Sequence, residues 1–193
     1  MIYKDIEFVC SGNNGRSPVA EAAARELLGK IGIKHISTSS SGTLVNLSGI
    51  DLGKFMIPHT ISAIERGVIP ADRMQVLDRN PKAVLDELVS IEERWRNRYI
   101  AYSFGMDYSD HERTQTIARP EAELVLAVDQ ANLDRVREIY GSATSPRIEL
   151  LPNFAGLNVE LSEKSLSNYE EYYGLAHKVS AAARFAILNA LGI

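Results

Sequence analysis

Cys10 and Arg16 close the two ends of the run Val9-Cys10-Ser11-Gly12-Asn13-Asn14-Gly15-Arg16-Ser17, a thiol and a guanidinium separated by serine, glycine and asparagine. Those residue types suit the binding and attack of one tetrahedral oxyanion. A loop of small residues can turn successive backbone N–H groups inward as an anion nest, and a helix that follows adds its positive end to the same point. Ser11, Gly12, Asn13, Asn14 and Gly15 would form that cradle, because glycine and asparagine reach the necessary backbone angles at little cost. Arg16 would clamp two equatorial oxygens through a bidentate, charge-assisted pair. The same positive surroundings favour a thiolate at Cys10. Such a thiolate can attack phosphorus in line, forming a phosphocysteine that water then hydrolyses. Ser17 would hydrogen-bond the sulfur or a loop group and help the sulfur leave. The plain alternative is that Cys10 is a small buried hydrophobe and that the arginine falls at this spacing by accident.

The neighbouring elements favour the chemical reading. Met1 to Cys10 reads as a strand, with Ile2, Ile6, Phe8 and Val9 supplying apolar and β-branched weight. From Arg16 to about Gly29 the pattern turns helical, with Val19, Ala23, Leu27 and Leu28 on one face, Pro18 in the first turn and Gly29 at the end. Further strands are predicted at His35–Thr43, Glu123–Val128 and Arg147–Leu151. Further helices are predicted near Thr60–Gly67, over Ala131–Tyr140 and from about Asn168 to Leu191. This alternation predicts an α/β fold: a single doubly wound domain spanning 1–193, with a four-stranded, mostly parallel sheet and helices on both faces. Ligands of such sheets lie beyond the carboxyl ends of the strands, where Cys10 and its phosphate-binding loop fall. The segment 70–108 breaks the pattern and reads as a helical insertion. It holds one amphipathic helix (Val84, Leu85, Leu88, Val89, Ile91, Trp95) and an aromatic cluster of Trp95, Tyr99, Tyr102 and Phe104. A lid, a substrate platform, a dimer surface and an added helix packed for stability all fit that composition.

Composition narrows the function classes. The 193 residues are 45% apolar and 24% charged, ordinary for a chain that buries a core. The net charge of −4 and the lack of a basic stripe argue against a nucleic-acid partner. No run approaches the length of a membrane span, and the N-terminus lacks the features of a signal peptide, so a cytoplasmic location is expected. One cysteine allows neither an internal disulfide nor a multi-cysteine metal site, and the four histidines are scattered. No metal and no cofactor is expected. Oligomeric state is not encoded in any pattern.

The loop resembles the Cys-x-Gly-Asn-x-Cys-Arg-Ser of the low-molecular-weight protein tyrosine phosphatase family, whose fold is shared with thiol-dependent arsenate reductases; Cys10, Gly12, Asn13, Arg16 and Ser17 match. Asn13 would then be the left-handed residue that shapes the cradle. Pro18, Ala20 and Glu21 resemble the start of the family's first helix, and Ser41-Gly42-Thr43 its Ser-Ala-Gly-Thr strand end. Asp110-His111 with Gln115 resembles an Asp-His-x-x-x-Gln segment. Leu126-Ala127-Val128-Asp129 with Asn132-Leu133 resembles the Met-Asp-x-x-Asn-Leu strand and helix. The resemblance implies a cysteine-dependent phosphatase acting on a phosphorylated protein or small aryl phosphate, most naturally phosphotyrosine, whose long aryl arm reaches a recessed sulfur. Leu44 and Val45, or the tyrosines at 99, 102, 172 and 173, would line the pocket or merely pack.

The chain departs from that pattern in three places. The second loop cysteine is Gly15, so no disulfide can shield Cys10 from overoxidation. The 70–108 segment is extra. The family's Asp-Pro-Tyr acid loop is missing, and in its region Glu160 sits nearest the expected slot, with Glu163 as rival and Asp107 and Asp110 further off. Asp129 would orient the cradle or favour the substrate's leaving group, or simply cap the helix after it, and His111 would be structural. An arsenate reductase would need an external thiol in a chain with one cysteine. A phosphate or phosphoprotein binder that has lost its acid loop is the alternative outside enzymology; only a catalyst would yield a trapped phosphocysteine.

Overall fold

The computed structural model describes residues 3–13, 15–44, 61, 64, 65, 67, 69–84, 87, 90, 122–141, 146–162 and 169–193. Its elements are β1 (Asp5–Cys10), α1 (Arg16–Lys30), β2 (Ser37–Gly42), α2 (Arg73–Arg79), β3 (Leu124–Ala127), α3 (Gln130–Tyr140), β4 (Arg147–Leu150), the short α4 (Leu151–Phe154) and α5 (Tyr169–Leu191). The four strands form one sheet in the order β2-β1-β3-β4, and every pair in it is parallel. The expected α/β architecture is therefore present, with the sheet wholly rather than mostly parallel.

β1 and β3 occupy the centre, and their residues from Ile6 to Cys10 and from Leu124 to Ala127 are all buried. Strands covered on both faces read as continuous apolar runs instead of alternating ones. The alternation of side chains across the sheet sorts them into two cores. Ile6, Phe8 and Cys10 join Leu124 and Leu126 in a cluster with the alanine-rich faces of α1 and α5. Val9, Val125 and Ala127 face the other way, against Leu133 and Val136 of α3. Helices thus lie on both sides, as the alternating pattern predicts.

The strands are shorter than the sequence reading, β3 by one residue at each end. β1 begins at Asp5, and β2 is confined to Ser37–Gly42, a strand of serine, threonine and glycine whose last three residues alone are buried. With almost no apolar weight, β2 owes its place to its pairing with β1, which sets Val9 beside Ser41 and Cys10 beside Gly42. The fourth strand stops at Leu150, where Leu151 and Pro152 open α4, because Pro is tolerated only in the first turn of a helix.

Within the 70–108 segment, α2 and the helical residues 81–84, 87 and 90 are described. Leu77 and Val84 pack with Ile64 and Ile69 into a small third cluster, joined by Ile61, Met74 and Val76. Leu85, Leu88, Val89, Ile91, Trp95, Tyr99, Tyr102 and Phe104 lie outside the described residues. No helix among the described residues is long and apolar enough to cross a membrane.

Candidate active site

The carboxyl ends of the central strands build the site. Beyond the sheet proper, the N–H of Thr43 donates to the Cys10 carbonyl (2.9 Å), that of Leu44 to the Ser11 carbonyl (3.0 Å) and that of Val128 to the Val9 carbonyl (2.9 Å). The chain is thereby held on both flanks where it leaves β1 and enters the loop. Gly15 precedes the first turn of α1, and its carbonyl accepts from the N–H of Val19 at 3.1 Å. Loop and helix end meet as the anion-nest argument requires.

Inside the loop, Asn13 has φ 50° and is the one described non-glycine residue with positive φ. Asparagine tolerates that region better than other residues with a Cβ. The side chain is fully buried, and its Nδ2 donates to the Ser40 carbonyl at 3.3 Å. Ser40 in turn donates its hydroxyl to the buried carboxylate of Glu21 at 2.7 Å, and Glu21 also pairs with Arg25. Glu21 therefore steadies the strand end on which Asn13 rests, a role invisible in the sequence, where it sits on a helix with no partner marked.

The Cys10 thiol is buried at 3% exposure. The Ser17 hydroxyl stands 3.0 Å from Cys10 Sγ, 3.2 Å from Asn13 Oδ1 and 3.2 Å from the Ser41 carbonyl. One hydroxyl has one proton to donate, so these three acceptors share it in turn. Arg16 is only 8% exposed and donates from Nη1 to the Asp129 carboxylate and to the Leu161 carbonyl, the latter at 3.1 Å. Asp129 is also the N-cap of α3: its Oδ1 accepts from the backbone N–H of Asn132 at 2.9 Å. Asp129 thus caps α3 through one oxygen and pairs with Arg16 through the other. Asn132 completes the arrangement, with Nδ2 donating to Asp129 at 2.7 Å and Oδ1 accepting from the hydroxyls of Ser11 and Thr43, each at 3.2 Å.

The region that the family pattern gives to the acid loop is described as far as Ser162. The 157–162 stretch runs past Arg16, with Leu161 buried at 1% exposure and its carbonyl on the guanidinium. A backbone carbonyl carries no residue-type signature, so no sequence signal marks this contact. Glu160 lies in the same stretch, exposed, and accepts from the Ser162 hydroxyl. Gly12 and Gly15 are half-buried in the loop. Asn14, Val45, Tyr99, Tyr102, Asp107, Asp110, His111, Gln115 and Glu163 fall outside the described residues, as does the side chain of Tyr172. Tyr173 packs against the main core. A cavity of about 330 Å³ between Tyr3, Arg147, Glu149, Asn153, Phe154 and Asn189 shares no residue with the loop.

The fold and the loop together define an α/β enzyme class that binds an anion between the end of the first strand and the first helix. The sequence matches the family described as low molecular weight phosphotyrosine protein phosphatase over residues 5–106, just over half of the chain, and the protein belongs to that family of phosphatases. Among solved structures it is similar to a low molecular weight protein tyrosine phosphatase from T. tengcongensis (18% identity, TM-score 0.59, covering 95% of this chain and 97% of that one). It is similar also to a mutant of YwlE from Bacillus subtilis (15% identity, TM-score 0.59, 95% of each chain). A third is Vibrio vulnificus Wzb in complex with benzylphosphonate (15% identity, TM-score 0.56, 94% of each chain). At these identities the likeness is one of fold. No curated protein sequence gives a significant match.

Proposed function

We propose that this phosphatase hydrolyses phosphotyrosine or other aryl phosphate monoesters through a Cys10 thiolate and a phosphocysteine intermediate. The observation that carries the reading is the Ser17 hydroxyl at 3.0 Å from Cys10 Sγ, in a loop whose other end presents the buried Arg16. In the first step the thiolate attacks phosphorus, the P–S bond forms and the P–O bond to the leaving group breaks. Loop amides from Ser11 to Gly15 and the Arg16 guanidinium carry the charge on the equatorial oxygens. In the second step water attacks phosphorus while giving a proton to the carboxylate that Glu160 became in the first step. The new P–O bond forms, the P–S bond breaks, and the departing thiolate accepts a hydrogen bond from the Ser17 hydroxyl, which keeps its proton. Glu160 is the proposed donor of the proton that the leaving oxygen needs, since its stretch is moored to Arg16 through the Leu161 carbonyl. The proposal draws some support from the benzylphosphonate bound by the Vibrio relative. In this reading the substrates are phosphorylated proteins or small aryl phosphates in the cytoplasm, and no step routes through a metal or cofactor.

The test is turnover of p-nitrophenyl phosphate and of an alkyl phosphate by the wild type, Cys10→Ser and Glu160→Gln across pH without added metal. Cys10→Ser should be inactive. Glu160→Gln should lose about 10²–10⁴-fold on alkyl phosphates and much less on nitrophenyl phosphate, whose leaving group needs little protonation. Glu160→Gln equal to wild type on both substrates removes Glu160 from the mechanism. Wild type that binds phosphate but turns over neither substrate replaces the reading with a phosphate-binding one.

A further inference from the structure

One side chain from α3 links the first residue of the phosphate loop to the carboxylate that holds Arg16 at its other end. Asn132 is 2% exposed and sits three residues into the turn that Asp129 caps. Its Oδ1 accepts from Ser11, the first residue after Cys10, and from Thr43, which follows β2. Its Nδ2 donates to Asp129 Oδ1, while Asp129 Oδ2 holds Arg16 at the far end of the loop. At neutral pH a side-chain amide offers an acceptor for two hydroxyls at one end and a donor for a carboxylate at the other, which an ionised carboxylate cannot. The helix start does not require the side-chain bond, because the backbone N–H of Asn132 already satisfies the Asp129 cap at 2.9 Å.

We propose that Asn132 is a positioning residue that fixes Arg16 relative to Cys10, by tying the Asp129 carboxylate to the first residue of the loop. The inference rests on the phosphatase reading and deepens it. Without the amide donor, Asp129 keeps its cap bond but loses the contact that orients the oxygen holding Arg16. Without the amide acceptor, the Ser11 and Thr43 hydroxyls lose their shared partner, and Ser11 can move with the loop. The guanidinium then meets the phosphoryl group off its bidentate geometry, in the ground state and in the transition state alike.

The experiment compares kcat/KM for p-nitrophenyl phosphate, the inhibition constant of inorganic phosphate and the melting midpoint of wild type, Asn132→Ala and Asn132→Asp. Misplacement of this kind predicts a loss of roughly ten- to a hundredfold in kcat/KM for Asn132→Ala at every pH, with phosphate inhibition weakened in parallel. Asn132→Asp keeps the acceptor for Ser11 and Thr43 but sets one carboxylate against another. Among the described residues, the charged groups bonded at that point are Asp129, which meets Asn132, and Arg16, which meets Asp129. Asn132 also bonds the Ser11 and Thr43 hydroxyls. A proton shared by the apposed carboxyls would restore the donor, so the deficit of Asn132→Asp relative to wild type should shrink as pH falls from about 7.5 to about 5.5. A merely structural asparagine would lower the melting midpoint and leave kcat/KM and phosphate inhibition of the folded enzyme unchanged, and that result overturns the proposal. So does a deficit of Asn132→Asp that stays constant with pH, which decides the matter even if Asn132→Ala does not fold. Failure of the underlying reading shows separately, as Cys10→Ser turning over like wild type.

Discussion

At the scale of single residues, the site turns on a proton with three destinations. The Ser17 hydroxyl can donate to sulfur, to Asn13 or to the Ser41 carbonyl, and in the proposed mechanism the sulfur changes its need for that hydrogen bond between the two steps. As a thiolate it is a strong acceptor; as a phosphocysteine it is a poor one, and the hydroxyl can turn to oxygen. Hydrogen bonds to charged groups are worth about 1.5–3 kcal/mol, so the departing thiolate should feel the loss most. Ser17→Ala is expected to lower kcat by roughly tenfold or more while kcat/KM, which reports the first step, falls much less. Rapid-mixing kinetics should show a burst of nitrophenolate before a slow steady state. A loss confined to kcat/KM with no burst would assign Ser17 to phosphoryl binding instead.

Among the elements, the pairing of α1 with α5 carries the helix that closes the loop. Their contact is built from small residues, Ala20, Ala23 and Ala24 on one side and Ala182, Ala183 and Ala186 on the other, all buried in one cluster. Across this seam Glu26 accepts from Arg184 at 2.7 Å and pairs with Lys30 one turn on. Burial pushes the Glu26 carboxyl up, but the hydrogen bonds and the positive charges of Lys30 and Arg184 together outweigh it and hold it below its ordinary value of 4.5. A carboxyl with a lowered folded value contributes stability above its unfolded value and loses it as pH falls through the folded one. Glu26→Gln should therefore lower the melting midpoint at neutral pH by about 2–4 °C, equivalent to about 1 kcal/mol in a chain of this size. Below the carboxylate range the two proteins should melt together. A difference that persists unchanged in acid would trace the effect to packing and not to charge.

On the scale of the whole molecule, the decisive number is the single cysteine in 193 residues. Peroxide converts a thiolate to sulfenic acid, and a second thiol nearby normally traps that stage as a disulfide. Gly15 occupies the loop position where the family pattern has one, and the chain contains no other thiol. Peroxide treatment without added thiol should carry Cys10 on to sulfinic acid. The expected outcome is activity that dithiothreitol does not restore, with two oxygens added at Cys10 by mass spectrometry. Full recovery with dithiothreitol would show that the buried loop stops oxidation at its first stage.

How much of this was legible beforehand follows from the range of the forces involved. The thiol, the guanidinium, the glycine and asparagine between them and the strand and helix on either side are local. Their types and spacing suffice to specify a phosphate loop at the end of β1, and the alternation of elements suffices for the doubly wound sheet. The positive φ of Asn13 belongs to the same local logic. The partners of Arg16 do not. Asp129 and Leu161 lie more than a hundred residues along the chain, and one of them offers only a backbone carbonyl, which no side chain announces. Ser11, Thr43, Asn132 and Asp129 come from three separate segments and meet only because β1, β2 and β3 lie side by side in register. The strand β2 is expected from the sequence over His35–Thr43, but its span of Ser37–Gly42 and its register are set by pairing with β1, since a run of serines has little strand propensity of its own. Local chemistry selects the reacting atoms; only the parallel packing of the strand ends decides what holds them.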